Sequence, residues 1–208
     1  MGADERMFEA QRSLPYRLLV PPNISPDPSE DTNKYAKRIV RTLNVEQPYF
    51  LGGASFGGIL AQAMCQWMDP HGLILIGSCR NSSAIPGYYR VMEKVFHIIP
   101  DIAIDMVPKS WPIAFGKFGQ LNNEQKNLFV AMLKDQTVEE LKLKGRMILD
   151  VKEDFNIECP IFHIHGEKDK LIPVGNVSPD QVVPGGGHLI SMTHPDEVNK
   201  FIINILEK

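Results

Sequence analysis

Three absences narrow the classes of protein to which this chain can belong. Its 208 residues include only three cysteines, Cys65, Cys79 and Cys159, without metal-ligand spacing, which argues against a disulfide-stabilised secreted domain and favours a reducing, cytoplasmic setting. The net charge is only −3, so electrostatics favour neither nucleic acid nor an anionic membrane as a partner. No uninterrupted apolar run approaches the length needed to span a membrane.

Apolar runs alternate along the chain with segments of helical periodicity. Ser29 can cap a helix that runs to about Leu43, and a last amphipathic helix begins at Pro195. Strands are expected at residues 16–20, 48–52, 72–77, 160–165 and 180–183. Because strands that alternate with helices form parallel sheets covered on both faces, the pattern predicts an α/β fold in a single domain, residues 1–208.

Residues 81–157 interrupt this alternation. Asn122 and Thr137 are typical N-caps, which predicts helices over 123–134 and 138–150. Upstream, apolar residues recur at helical intervals over 88–99, and aromatic residues follow at Trp111, Phe115 and Phe118. A helical insertion between two core strands predicts a cap over the functional site. The alternative is that these helices merely pack on the edge of the sheet.

A serine occupies the most informative position in the chain. Residues 53–57 read Gly-Ala-Ser-Phe-Gly and connect an apolar run to a helix-forming one, which predicts that Ser55 lies on a sharp strand-to-helix turn. We expect glycine at 53 and 57 because side chains there would collide with the neighbouring helix and strand. The alternative is a serine in an ordinary glycine-rich loop.

Two later segments follow this turn in an order that resembles the α/β-hydrolase family. Residues 165–173 resemble the family's strand-end segment that delivers an acid, here Asp169. Three glycines precede His188, and with the helix from Pro195 they resemble the segment that delivers the histidine. Serine, acid and histidine stand in the family's chain order, and the resemblance covers nearly the whole chain. It implies a Ser55–Asp169–His188 catalytic triad.

The chemistry of acyl transfer requires these residue types. A serine hydroxyl is a weak nucleophile until a neighbouring base takes its proton, and histidine titrates near neutral pH. A buried carboxylate fixes the imidazole tautomer. Among the rival groups, we expect His163 and His165 to be structural, His194 to be exposed and Glu167 to be solvated. His71 and His97 lie in no motif, and Asp150, Glu153 and Asp154 are expected to form a solvated face.

The chain departs from the family pattern in two places. Only 18 residues separate Asp169 from His188, so residues 171–179 must cross by an irregular or one-turn link. In the family, a glycine-containing loop after a strand beside the nucleophile strand completes the oxyanion hole with a backbone N–H. Residues 1–8 resemble the end of that loop without its strand, which places this donor at Met1, beside the donor at Phe56. We therefore expect N-terminal strands to be missing: either the chain is truncated or starts late, or the sheet closes without that strand.

We therefore expect a serine-dependent hydrolase of small carboxylic esters, or of thioesters or amides, that acts through an acyl-enzyme. Methionine and aromatic residues in the insertion favour a small-molecule substrate with an apolar group, although such residues are more often core. Neither a metal nor an organic cofactor is implied. Two alternatives stay open: an acyltransferase with the same triad, and a ligand-binding member of the fold without catalysis.

Overall fold

A four-stranded parallel sheet forms the centre of the computed structural model, which describes residues 3–89 and 118–207. The strands lie side by side in chain order: β1 (Phe50–Ala54), β2 (Gly72–Ile76), β3 (Ile161–Gly166) and β4 (Gln181–Val183). Every neighbouring pair is parallel, as the alternation of strands and helices predicts. The α/β fold class is therefore confirmed.

Six α-helices accompany the sheet in the described part of the chain. They are α1 (Thr32–Val40), α2 (Phe56–Met64), α3 (Asn123–Lys134), α4 (Val138–Asp150), α5 (Ile190–Thr193) and α6 (Pro195–Leu206). Short 3-10 helices span Glu5–Ser13, Ser82–Ala84 and Val174–Asn176. The last of these is the one-turn link predicted between Asp169 and His188.

Strand β2 shows why the sheet is covered on both faces. Its five residues are all buried, and successive side chains point to opposite faces. Leu73 and Leu75 pack in a cluster with Ala61 of α2. Ile74 and Ile76 pack in a different cluster, which includes apolar residues of α6. The sheet is thus a middle layer between helices, and its parallel strands all end at the same edge.

The strand expected at residues 16–20 does not form, so this prediction was wrong. These residues have no regular secondary structure, and Tyr16, Leu18 and Leu19 are 39%, 37% and 42% exposed. An extended segment becomes a strand only when a neighbour pairs with its backbone N–H and C=O groups. Among the described residues, β1 is the edge of the sheet and pairs with β2 alone.

The helix starts test the capping predictions. Asn122 and Thr137 both cap their helices, each within a reciprocal capping box, as predicted. Ser29 does not cap α1, because its hydroxyl and N–H both bind the carboxylate of Asp27. Asp31 caps α1 instead, by accepting a hydrogen bond from the Lys34 N–H.

The insertion at residues 81–157 is described in part. Helix α3 packs against the N-terminal 3-10 helix, and α4 packs against α1 and α2. Much of the apolar segment over 88–99, together with His97, Trp111 and Phe115, lies outside the described residues. The single domain and its cap therefore remain predictions.

Candidate active site

Ser55 lies on the turn between β1 and α2 in a backbone conformation that non-glycine residues rarely adopt. Its φ and ψ are 52° and −121°, and its N–H donates to the carbonyl of Ile76 on the adjacent strand. A left-handed φ at a serine costs on the order of 1–3 kcal/mol, and such strain is concentrated at functional sites. The sharp strand-to-helix turn expected from the sequence is present.

Two glycines allow this turn, and only one of them, Gly53, is among the two expected from the sequence. A Cβ on Gly53 would lie 2.2 Å from the carbonyl of Gly57, so residue 53 has to be glycine, as expected. A Cβ on Gly57 would meet nothing within 4 Å, so the collision expected there was wrong. The crowded neighbour is Gly58, where a Cβ would lie 2.4 Å from Oγ of Ser78. Ser78 approaches because its hydroxyl donates to the Ser55 carbonyl.

His188 bridges the serine and the acid. Its Nε2 lies 2.8 Å from Ser55 Oγ, and its Nδ1 lies 2.7 Å from Asp169 Oδ2. With the proton on Nδ1, the ring donates to the carboxylate and offers the Nε2 lone pair to the serine hydroxyl. This is the tautomer that general-base catalysis requires. The structure therefore brings together the three residues that the sequence identifies.

Asp169 is held by hydrogen bonds from its own loop. The N–H groups of Leu171 and Ile172 donate to Oδ1 over 2.8 and 2.9 Å, while Oδ2 faces His188. Burial by itself raises the pKa of this carboxyl group. Hydrogen bonds from His165 and His188, the His188 charge and the Ile172 N–H outweigh it, so the pKa of Asp169 is held well below its usual range. Asp169 therefore stays ionised in the folded protein.

The loops that carry the acid and the histidine are bonded to each other. Lys168 N–H donates to the Gly186 carbonyl over 2.7 Å, and Glu167 N–H donates to the Val183 carbonyl over 3.0 Å. Glu167 is exposed, as expected, and its Oε2 accepts a hydrogen bond from Gly185 N–H over 2.8 Å. These hydrogen bonds hold the two loops together. The short link between Asp169 and His188 favours this, because it keeps the loops close to each other.

Two buried histidines lie behind Asp169 on strand β3. His163 Nε2 is 3.0 Å from His165 Nδ1, and His165 Nε2 is 2.8 Å from the Ile172 carbonyl and 3.2 Å from Asp169 Oδ2. The sequence identifies both as structural, which fits their burial. It misses the contact of His165 with the acid. The sequence feature that could have predicted this contact is the position of His165 at the end of a buried strand, four residues before Asp169.

His163 should make stability depend on pH. Burial, with a smaller contribution from His165, lowers the pKa of His163 from 6.5 to about 4. Between those values the unfolded chain binds a proton at this ring that the folded protein does not. The free energy of unfolding should therefore fall by up to about 3 kcal/mol as the pH drops through this window. Urea unfolding at pH 7, 5.5 and 4.5 measures the loss.

The matched variant is His163→Leu, which removes the titrating ring. Its stability should depend less on pH between 7 and 4.5, whatever its absolute stability. Equal pH slopes in the variant and the wild-type protein would contradict the assignment.

The remaining candidate residues lie away from this cluster or on the surface. Asp150, Glu153 and Asp154 are exposed, and Asp154 forms a surface ion pair with Arg80, as a solvated face predicts. His71 is exposed. His194 is partly rather than fully exposed, and its Nδ1 contacts the hydroxyl of Thr193.

The donors expected for an oxyanion are described in part. Phe56 is the first residue of α2, so its N–H has no partner within the helix and is available to a ligand beside Ser55. Met1 lies outside the described residues.

In the described ranges, no group of three or more His, Cys, Asp or Glu side chains is arranged to hold a metal ion.

A large cavity opens beside Ser55 and His188. Its volume is about 1850 Å³ and its walls are mainly apolar. Helices α3 and α4 contribute Phe129, Leu133, Leu141 and Ile148 to these walls. Among the residues described, no helix combines the length and the apolar character that a bilayer crossing requires.

Comparisons with known proteins bear on the fold. No protein-family model matches the chain. A Synechocystis sp. protein named as a non-heme chloroperoxidase is 31% identical over 71 residues, which are 29% of this chain and 26% of that protein. The matched part thus covers about a quarter of the relative.

Solved structures match over the full length. An esterase from Exiguobacterium antarcticum aligns with a TM-score of 0.72 and 17% identity, over 99% of this chain and 88% of that chain. A Thermogutta terrifontis esterase aligns at 0.63 and 22%, over 99% and 86%. A hydrolase from Oleispira antarctica aligns at 0.71 and 16%, over 100% and 88%. The chain has the α/β-hydrolase fold.

The α/β-hydrolase fold accounts for the meeting of residues far apart in sequence. Ser55 follows β1, Asp169 follows β3 and His188 follows β4. Because these strands are parallel members of one sheet, the three residues emerge at the same edge of the sheet. The resemblance inferred from the sequence is thus confirmed for the fold.

Proposed function

We propose that this protein is a serine-dependent hydrolase of small carboxylic esters, or of thioesters or amides. The observation that carries the proposal is the unbroken series of contacts from Ser55 through His188 to Asp169, beside an apolar cavity. The esterases among the similar structures support the same reaction class.

In the proposed reaction, His188 Nε2 takes the proton of Ser55 as Oγ attacks the carbonyl carbon of the ester. The Phe56 N–H, with a second donor proposed at Met1, stabilises the oxyanion. His188 then gives the proton to the leaving alcohol, and an acyl-enzyme remains. Water, deprotonated by His188, attacks the acyl carbon and releases the acid together with Ser55.

We assign the apolar part of the substrate to the cavity beside Ser55. Helices α3 and α4 form part of its wall, which supports the role of residues 81–157 as a cap in one domain with the sheet. The three cysteines are free, and burial raises the pKa of the Cys65 and Cys79 thiols to about 12. The free state of the three cysteines supports the cytoplasmic setting proposed for the chain.

Labelling with a fluorophosphonate tests the proposal. The reagent should form a single adduct at Ser55, because only an activated serine reacts with it, and the mass of the peptide that contains Ser55 identifies it. Labelling should stop once a hydrolysable ester occupies the site. An adduct at any other residue would show that the nucleophile is wrongly assigned.

The apolar cavity predicts a preference among substrates. Each methylene of the acyl chain that enters it contributes about 0.8 kcal/mol, or about fourfold in kcat/KM. A series of p-nitrophenyl esters should therefore show kcat/KM rising by about this factor per carbon until the cavity is filled. A series in which kcat/KM does not change with chain length would place the acyl group outside the cavity.

Product analysis with added alcohol separates hydrolysis from acyl transfer.

A further inference from the structure

His165 is a second histidine that contacts the acid of the proposed triad. Its Nε2 is 3.2 Å from Asp169 Oδ2, the same oxygen that faces His188 Nδ1. The ring is fully buried on β3, at 0% exposed. The carboxylate accepts three hydrogen bonds, from His188 Nδ1 on Oδ2 and from the Leu171 and Ile172 N–H groups on Oδ1, and His165 Nε2 is the fourth polar group beside it.

The neighbours of His165 determine its tautomer. Nε2 lies beside two acceptors, Asp169 Oδ2 and the Ile172 carbonyl at 2.8 Å, so Nε2 carries a proton and shares it between them. Its Nδ1 lies 3.0 Å from His163 Nε2, so one of these two nitrogens donates to the other. Both nitrogens are engaged, so the ring is fixed in rotation as well as in place.

This ring ties the acid loop to the sheet. The Ile172 N–H binds Oδ1 of Asp169, while the Ile172 carbonyl accepts from His165. Without His165, the loop would hold the carboxylate through Oδ1 alone, and Oδ2 would be free to turn away from His188. A strand is also a more rigid support than the loop that carries Asp169.

We infer that His165 is a positioning residue for the proposed reaction: its Nε2–H holds Asp169 Oδ2 where the carboxylate meets His188. The inference rests on the proposed function of the triad. His165 does not line the cavity, so it has no part in binding substrate. Its effect should therefore fall on kcat and leave KM unchanged.

Two substitutions at one position separate this role from simple filling of the core. In His165→Gln the side-chain amide reaches the place of Nε2 and can still donate to Asp169. In His165→Asn the shorter amide reaches the place of Nδ1 and faces His163 instead. We expect His165→Asn to lower kcat about 10- to 100-fold with KM within twofold, and His165→Gln to retain kcat within about fivefold.

A spectroscopic reading accompanies the kinetics. The proton between His188 Nδ1 and Asp169 should give a separate signal far downfield in the proton NMR spectrum. The signal should persist in His165→Gln and broaden or vanish in His165→Asn. Thr32→Val is the control, since it removes a buried hydroxyl that donates to the Met147 carbonyl and contacts neither His165 nor Asp169; kcat should stay within about threefold.

The outcomes separate the inference from the function on which it rests. Equal kcat values and equal NMR signals for His165→Asn and His165→Gln would overturn the inference, as would a loss in Thr32→Val as large as in His165→Asn. If His165→Asn does not fold, His165→Gln decides: retained kcat and signal support the inference, and loss of both overturns it. A wild-type protein that neither hydrolyses esters nor reacts with fluorophosphonate refutes the proposed function, while the NMR comparison still tests the position of Asp169.

Discussion

Replacement of Ser55 by alanine should lower kcat by about 10⁵- to 10⁶-fold, the scale on which serine hydrolases lose activity without their nucleophile. The hydroxyl is the group that forms the acyl-enzyme, and the alanine variant offers no replacement for it. His188 and Asp169 would remain in place without a serine proton to accept. Steady-state hydrolysis of the best p-nitrophenyl ester measures the effect, and fluorophosphonate labelling should vanish with it.

Ser78→Ala is the matched control. Ser78 is fully buried beside the same turn, and its hydroxyl donates to the backbone carbonyl of Ser55 over 2.7 Å. Its loss removes one hydrogen bond that supports the turn, so activity should fall by no more than about tenfold. Turnover of Ser55→Ala at the level of this control would mean that another residue is the nucleophile.

Asp169→Asn should lower kcat by about 10⁴-fold with little change in the fold. An amide at this position can present its NH₂ group to His188 Nδ1, which favours the tautomer with the proton on Nε2. That proton would face Ser55 and prevent the ring from acting as its base. Measurement of kcat together with the thermal midpoint separates this loss from unfolding.

Glu167→Gln provides the control for the acid. Glu167 is two residues away in the same loop, exposed, and bound to the Gly185 N–H. Glutamine can still accept that hydrogen bond, so kcat should change little. A larger loss at Glu167 than at Asp169 would show that the acid has been misplaced.

The sequence predicts most of what depends on local pattern. Strands β2, β3 and β4 and helices α3, α4 and α6 form where apolar periodicity and capping residues indicate. Ser55, Asp169 and His188 were identified from segments whose local chemistry is distinctive: a glycine-bounded turn, a strand-end acid and a glycine-led histidine. Their meeting follows from the parallel order of strands, which the alternation of elements already implies.

Two of the wrong predictions, the strand at residues 16–20 and the collision at Gly57, depend on distant partners, whereas the wrong cap at Ser29 depends on its neighbours Asp27 and Asp31. Residues 16–20 have the composition of a strand, but no strand within residues 3–89 and 118–207 pairs with them. Gly57 and Gly58 are adjacent, and only the approach of Ser78 shows which of them is crowded. Likewise, the buried pattern of β3 shows that His165 is internal but not that Asp169 folds back onto it.

The hydrogen bonds between the acid loop and the histidine loop join Asp169 to His188 but do not include Ser55. The Lys168 N–H donates to the Gly186 carbonyl, and Glu167 Oε2 accepts from the Gly185 N–H. These two hydrogen bonds join the loops that carry Asp169 and His188, so the two residues should move as one unit. Ser55 lies between β1 and α2, outside these two loops. When a bulky substrate forces the site to adjust, the contact that stretches first should be the one between His188 and Ser55, while the pairing of base and acid stays intact. Substrate size would then control how readily the nucleophile is activated.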